Sequence, residues 1–259
     1  MIFADSLLAR RVEAAEAANA RGTCGPGVET LNVAGGCAVF AGAGSPLTQA
    51  VGLGLAGPVS LAEVEALEDF FRCRGSGVSV DLCPLADPGF LDLLAHRGYA
   101  PTEFNNVLVK RLAAAEPVPS PRVRLAAPEE GELWARTVGR AFFETAMLSD
   151  REMDVGRAIV ATPGVLCYLA FAENGEAAAG AAMACHGGVA TLFADGAIPA
   201  FRRAGLHREL IAARVDAAAA VGCDVAAAAT LPGSASQRNY ERLGFQVVYT
   251  KVTLVKPLF

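Results

Sequence analysis

Residues 201 to 210 read FRRAGLHREL, two arginines ahead of a small residue and a glycine. The helix-forming run that follows makes Gly205 the start of a helix. The first turn of a helix has backbone N–H groups without partners and carries the positive end of the dipole, so it attracts anions. Ala204 and Gly205 let a ligand approach the backbone closely, and Arg202 and Arg203 add formal positive charge. The chemistry predicted is the binding of a phosphate or pyrophosphate. No Gly-Lys-Ser/Thr follows, so this is not a P-loop, and one glycine does not make a GxGxxG fingerprint. A solvated arginine pair is the plainer alternative, but cations at a helix start oppose the dipole unless an anion is present.

These residues need a strand before them and a helix behind. VATLFADGAIP supplies the strand, and the helix runs to about Ala220. CDVAAAA is then a buried strand and SASQRNYERLGF a helix, with Ser234 and Gln237 spaced as a capping box and Gly244 at the left-handed stop. QVVYTKVTLVKPL closes the sheet. Upstream, VRLAAP is a short strand, PEEGELWARTVGRAFF a helix opened by Pro128, and MLSDREMDVGRAIVATPG a second helix. VLCYLAFAENGEAAAGAAMACH is two strands joined at Asn174-Gly175.

Strand, IPAFRRAGLH, helix, buried strand and YERLGF, in that order, resemble the GNAT acyltransferase superfamily. That family binds the pyrophosphate of acetyl-CoA on an Arg/Gln-x-x-Gly-x-Gly/Ala loop. Residues 202–207 match it except in the last place, where His207 stands for a small residue. YERLGF (240–245) matches the family's aromatic-Glu-Lys/Arg-x-Gly-Phe signature in full. The asparagine that often precedes this helix has no counterpart; its place falls near Gly233. The resemblance covers 122–259 and implies an acyl-CoA-dependent N-acetyltransferase, moving an acetyl group from acetyl-CoA to a primary amine by direct attack, without a metal. It places the pantetheine on the backbone of Ala197 and Ile198, with Gly196 a further candidate. It places the pyrophosphate at Arg202, Arg203, Ala204, Gly205, Leu206 and His207, and adds Asn239 to the cofactor-binding set. A backbone N–H aimed at the thioester oxygen would stabilise the oxyanion. Tyr240 takes the position of the tyrosine that protonates the departing thiolate, a task suited to a phenol with a pKa near 10. No base is named; Asp195 is read as locally paired and Glu144 as a surface residue. The alternative is a non-catalytic acyl-CoA-binding or regulatory module. A thiol hydrolase is disfavoured, because no cysteine and histidine stand in a nucleophile signature.

The chain also resembles itself. LLAHRGYAPTEFNNVLVKRL (93–112) aligns without a gap on NYERLGFQVVYTKVTLVKPL (239–258), Gly98 falling on Gly244 at an offset of 146. The same offset carries 78–82 onto 224–228 and the helical run 62–71 onto 208–217. The expected fold is α/β (α+β): two tandem GNAT-like units, each a mixed, largely antiparallel sheet flanked by helices. The units are 1–115 and 122–259, with a boundary in the proline-bearing AAAEPVPSPRVR. In the first unit the arginine pair falls within Leu55-Ala56-Gly57 and Ala204-Gly205 on Pro58-Val59, so that unit is expected to be degenerate and to pack against or shape the substrate cleft.

Composition bounds the rest. The chain has 259 residues, 53% apolar and 19% charged, enough for a core and far from disorder. A net charge of −5 with no basic block argues against nucleic acid or an anionic membrane as partner. Seven cysteines without a CxxC, and three histidines, give no zinc spacing and suggest reduced thiols in the cytoplasm. The N-terminus reads as an amphipathic helix from about Asp5 to Gly22, not a signal peptide. Residues 30–62 carry no charge, but repeated Gly and Pro make them short buried strands and not a membrane span. The amine acceptor is left unnamed, and a homodimer is left open.

Overall fold

The computed structural model describes Ile2, residues 4–113 and residues 120–258. The first half runs α1 (Ser6–Arg21), β1 (Glu29–Val33), β2 (Gly36–Phe40), β3 (Gln49–Val51), α2 (Leu61–Arg72), β4 (Val78–Leu82), α3 (Pro88–His96) and β5 (Ala100–Arg111). The second runs β6 (Val123–Leu125), α4 (Gly131–Phe142), α5 (Asp150–Ala161), β7 (Leu166–Phe171), β8 (Ala177–His186), β9 (Val189–Ala197), α6 (Leu206–Ala220), β10 (Val225–Thr230), α7 (Ala235–Arg242) and β11 (Gln246–Lys256). Local signals set many of these limits. Asp5 caps α1 by accepting from the Leu8 N–H at 2.7 Å. Ser234 accepts from the Gln237 N–H at 3.1 Å, while the Gln237 side chain reaches back to the Gly233 N–H, one residue earlier than a capping box requires.

The offset of 146 seen in the sequence also relates α2 to α6, β4 to β10, α3 to α7 and β5 to β11. The two halves do not form separate sheets, however. All eleven strands join in one sheet, in the order β1-β2-β3-β4-β11-β5-β10-β9-β8-β7-β6. The last strand of each half has crossed over: β11 lies between β4 and β5, and β5 lies between β11 and β10. These pairs are antiparallel, and burial of Val107, Leu108 and Val109 in the central strand anchors the seam. The expected boundary near 116–121 falls largely outside the described residues.

Strands β3 and β9 would lie roughly 24 Å apart in a flat sheet, five spacings of about 4.8 Å. Yet Val51 of β3 and Thr191 of β9 line one cavity of about 130 Å³, so the sheet is rolled. Helix α1 fills the roll, packing against β2 and β3 on one side and β8 and β9 on the other. Alanines make the second half's sheet thin: Ala178, Ala179, Ala181, Ala182 and Ala226 are all fully buried. Helices can therefore pack close to it on both faces. No helix among the described residues is long and apolar enough to cross a membrane.

Candidate active site

Parallel pairing of β9 with β10 runs only from Val189 to Leu192. Beyond it β9 continues to Ala197 while β10 follows β5, and the two strands part. On its other edge β9 stays with β8, but the register shifts between Phe193 and Gly196, and Ala194 takes a φ of 53°. This is a β-bulge, and the extra residue turns the next side chains over. Thr191 and Phe193 face α1 and α5, whereas Asp195 points to α6 and α7. A Cβ at Gly196 would lie 2.7 Å from the Cβ of Ala141, so this glycine lets the end of α4 close over the bulge.

Where the strands part, a cleft of about 760 Å³ opens between the end of α4, the turn before α6, and α7. The turn has donors and charge that could hold an anion. Arg203 and Gly205 both have positive φ, 68° and 84°, which points successive N–H groups to one side. Among the described residues no acceptor meets the N–H groups of Arg203, Ala204, Gly205, Leu206 or His207. A Cβ at Gly205 would touch nothing closer than 3.6 Å, so the backbone conformation, and not space, calls for glycine. Five arginines line the cleft, Arg202, Arg203, Arg208, Arg238 and Arg242, in a chain whose net charge is −5. Arg202 is held at the cleft's edge by Glu144 at 2.7 Å and donates to the Ala197 carbonyl at 3.2 Å. Arg203 makes no ion pair among the described residues.

Beneath the cleft floor lies a buried polar network around Asp195. Arg214, fully buried in α6, grips the carboxylate with two bonds, of 2.6 and 2.9 Å, and anchors itself on the carbonyls of Ala182 and Leu210. The Tyr240 hydroxyl donates to Oδ2 of the same carboxylate. His207 Nε2 lies 3.1 Å from that oxygen, and its Nδ1 lies 3.0 Å from the Asn239 amide nitrogen. The amide donates to Nδ1, so Nε2 carries the hydrogen directed at Asp195. Burial alone would push the Asp195 carboxyl up, but the Arg214 guanidinium and His207 override it and hold it well below the usual carboxylate range. Burial, reinforced by the Asp195 charge, pushes the Tyr240 phenol well above its ordinary value. The ring stacks edge-on against His207 and Phe245.

Ala197, Arg202, Arg203, Gly205, Leu206, His207 and Asn239 line the cleft together. Ala204 turns its carbonyl outward to Arg122, at 3.2 Å. Ile198 needs correction: its N–H donates to Ala178 and its carbonyl accepts from Phe201, so neither backbone group is open to a ligand. The stretch of β9 without a β10 partner starts earlier, at 193, because the strands part sooner than the motif suggests, though the Ala197 carbonyl at its end is taken by Arg202. Tyr240 points inward, but its partner is a carboxylate rather than a backbone carbonyl or the cleft. Asp195 is paired, but by Arg214 and Tyr240 from other elements and not locally, and Glu144 is an exposed residue whose carboxylate meets Arg202. Sequence reasoning missed Arg214, Arg208, Arg238 and Arg242. The signal for Arg214 was a charge on the inward stripe with Leu210, Ile211 and Ala218, which a buried ion pair explains.

Residues 128–245 match the model of the acetyltransferase (GNAT) family. No curated protein matches the chain in sequence. Among solved structures, the GCN5-related N-acetyltransferase from Kribbella flavida superposes with a TM-score of 0.70 at 21% identity, covering 96% of both chains. A tandem GNAT protein from the clavulanic acid biosynthesis pathway gives a TM-score of 0.62 at 13% identity, over 98% of this chain and 95% of that one. An acetyltransferase of the same family from Novosphingobium aromaticivorans gives 0.52 at 19%, over 77% and 82%. At these identities the likeness is one of fold.

Proposed function

We propose, from the match of residues 128–245 to the model of the acetyltransferase (GNAT) family, that the chain moves an acetyl group from acetyl-CoA to a primary amine. The observation that carries this reading is the anion-binding turn, with its unpaired N–H groups among five arginines at the parting of β9 and β10. The residues fit the group: a diphosphate needs several donors and positive charge, and the bare edge of β9 offers backbone to an amide-bearing chain. Acetyl-CoA supplies the thioester; the amine nitrogen bonds to its carbonyl carbon, the carbon–sulfur bond breaks, and the sulfur leaves as a thiolate. The turn at 203–207 holds the phosphates, and the backbone of the bulge stabilises the developing oxyanion. Tyr240 keeps its proton at neutral pH and is assigned the donation to the thiolate, for which its hydroxyl must exchange Asp195 for the sulfur. The amine proton leaves to water.

The first half is assigned no donor-binding role. Its counterpart strand, β3, has three residues against nine in β9, and its inner positions pair on both edges. Residues 52–55 after it are buried, the Gly54 carbonyl accepting from the Asp87 N–H at 2.8 Å, and the counterparts of the arginine turn, 56–58, are exposed and carry no cation. One observation favours the alternative of a binding module without catalysis: Tyr240 is buried, with its hydroxyl bound to Asp195.

Calorimetry with CoA tests the site. Gly205→Glu is expected to weaken binding at least about 100-fold, a loss of some 2.7 kcal/mol. Gly205→Ala is the control: it brings only the left-handed strain, about 1–2 kcal/mol of stability, and no charge. CoA affinity unchanged in Gly205→Glu would remove the turn from the site.

A further inference from the structure

The positive charge on the cleft lining exceeds what the turn before α6 can use. Arg202 is neutralised by Glu144, but Arg203, Arg208, Arg238 and Arg242 meet no carboxylate among the described residues. The acids beside them are engaged elsewhere, Glu209 by Arg122 and Ser120 and Glu241 by the Gln237 amide at 2.7 Å. All four arginines are exposed, so a ligand in the cleft can reach them. Guanidinium groups are not deprotonated in proteins, so these four cations repel one another until an anion joins them.

Their placement divides them into two pairs. Arg203 and Arg208 belong to the turn and the first turn of α6, beside the unpaired N–H groups. Arg238 and Arg242 stand one helical turn apart on α7, about 6 Å along its axis. Like charges at that spacing destabilise a helix, so the pair is not there for the fold. Asn239, between them, bonds His207 at 3.0 Å and docks α7 against the start of α6. The Arg242 guanidinium donates to Asn239 Oδ1 at 3.3 Å, and that of Arg238 to the Gly233 carbonyl at 2.6 Å. Each is steadied at one nitrogen and keeps the other donors of its fork for a ligand. A diphosphate diester carries one negative charge on each phosphate, which the unpaired N–H groups with Arg203 and Arg208 can meet. The α7 pair is then left over. Two forked cations side by side match a phosphomonoester, which carries about −1.5 to −2 at neutral pH. Acetyl-CoA has one, on the 3′ carbon of its ribose. We infer that Arg238 and Arg242 hold the 3′-phosphate of the donor, so that the chain distinguishes CoA from 3′-dephospho-CoA. The inference rests on the acetyl-CoA reading above.

Calorimetry on the full chain, with CoA and 3′-dephospho-CoA as the two probes, tests it. CoA is expected to bind at least about tenfold more tightly, the scale of charge-assisted hydrogen bonds to one phosphate. Added salt should narrow the gap, since the contacts are exposed and ionic. The double variant Arg238→Gln, Arg242→Gln should bind CoA at least about tenfold more weakly, as dephospho-CoA is bound, with dephospho-CoA itself changed by less than about twofold. Arg208→Gln, from the other pair, should weaken both probes alike. Both α7 arginines are exposed, so the double variant should melt with the unaltered chain; if it does not, the single variants Arg238→Gln and Arg242→Gln carry the comparison. Equal affinity for the two probes overturns the subsite and leaves the acetyl-CoA reading standing. So does an equal loss of both probes in the double variant, or a preference for CoA that the double variant keeps. A preference that the double variant abolishes, without thiol release from acetyl-CoA in the presence of any amine, keeps the subsite and counts against the transferase. Binding of neither probe overturns both.

Discussion

The Asp195 carboxylate is shared by Arg214, Tyr240 and His207, and only His207 of the three reaches the cleft lining. A phenolate formed beside that carboxylate would face its charge in a buried setting, which makes Tyr240 a firm holder of its proton. Tyr240→Phe separates its two roles. As proton donor, its loss should lower kcat at least about tenfold, with the KM for acetyl-CoA little changed. As a packed residue that steadies Asp195, its loss should leave kcat near that of the unaltered enzyme and lower stability by about 1.5–3 kcal/mol, the value of a hydrogen bond to a charged group. Kinetics and a melting curve on one purified variant decide between them.

Helix α1 carries charge into the middle of the rolled sheet. Burial pushes the Glu13 carboxyl up to about 7, even though Lys251 draws it down; Glu16 and Tyr249 are the other titratable groups acting on it. Its folded value exceeds its ordinary value of 4.5, so folding favours the protonated form. The contribution is fully present below pH 4.5 and is lost as pH rises through about 7. Glu13→Gln removes this dependence. The melting temperature of the Gln variant, relative to the unaltered chain, should therefore be higher at pH 8 than at pH 4.5. A constant difference across that range would place the titration elsewhere.

At the scale of the molecule, the exchange of β5 and β11 makes each half depend on the other. Residues 1–115 alone would leave β4 and β5 without β11 between them, and 122–259 alone would leave β10 and β11 without β5. Long bare edges of that kind drive aggregation. Expressed singly, each half should be insoluble or aggregated. Co-expressed, the two should copurify and bind CoA. A soluble, monomeric 122–259 fragment that binds CoA alone would show that the exchange is not needed for folding.

Much of this was legible in the sequence, because the signals concerned are local. A glycine at positive φ, a serine cap, the Asn174-Gly175 turn and the period of apolar residues act over a few neighbours, so the elements around FRRAGLH and YERLGF could be read with their order, and a repeat at a fixed offset survives in the sequence. The arginines of α7 were on view too, but a helix face gains meaning only from what lies opposite it. Three things were decided by tertiary structure alone. Parting of β9 from β10 after Leu192 depends on pairing across the chain, which no local residue reports, and it moved the open backbone away from Ile198. The exchange of last strands is equally silent, since β5 and β11 look alike and either partner satisfies their alternation. And the Asp195–Arg214 pair, like the oxygens of Asn19 and Thr191, draws its character from burial, a property conferred by distant segments closing over a side chain.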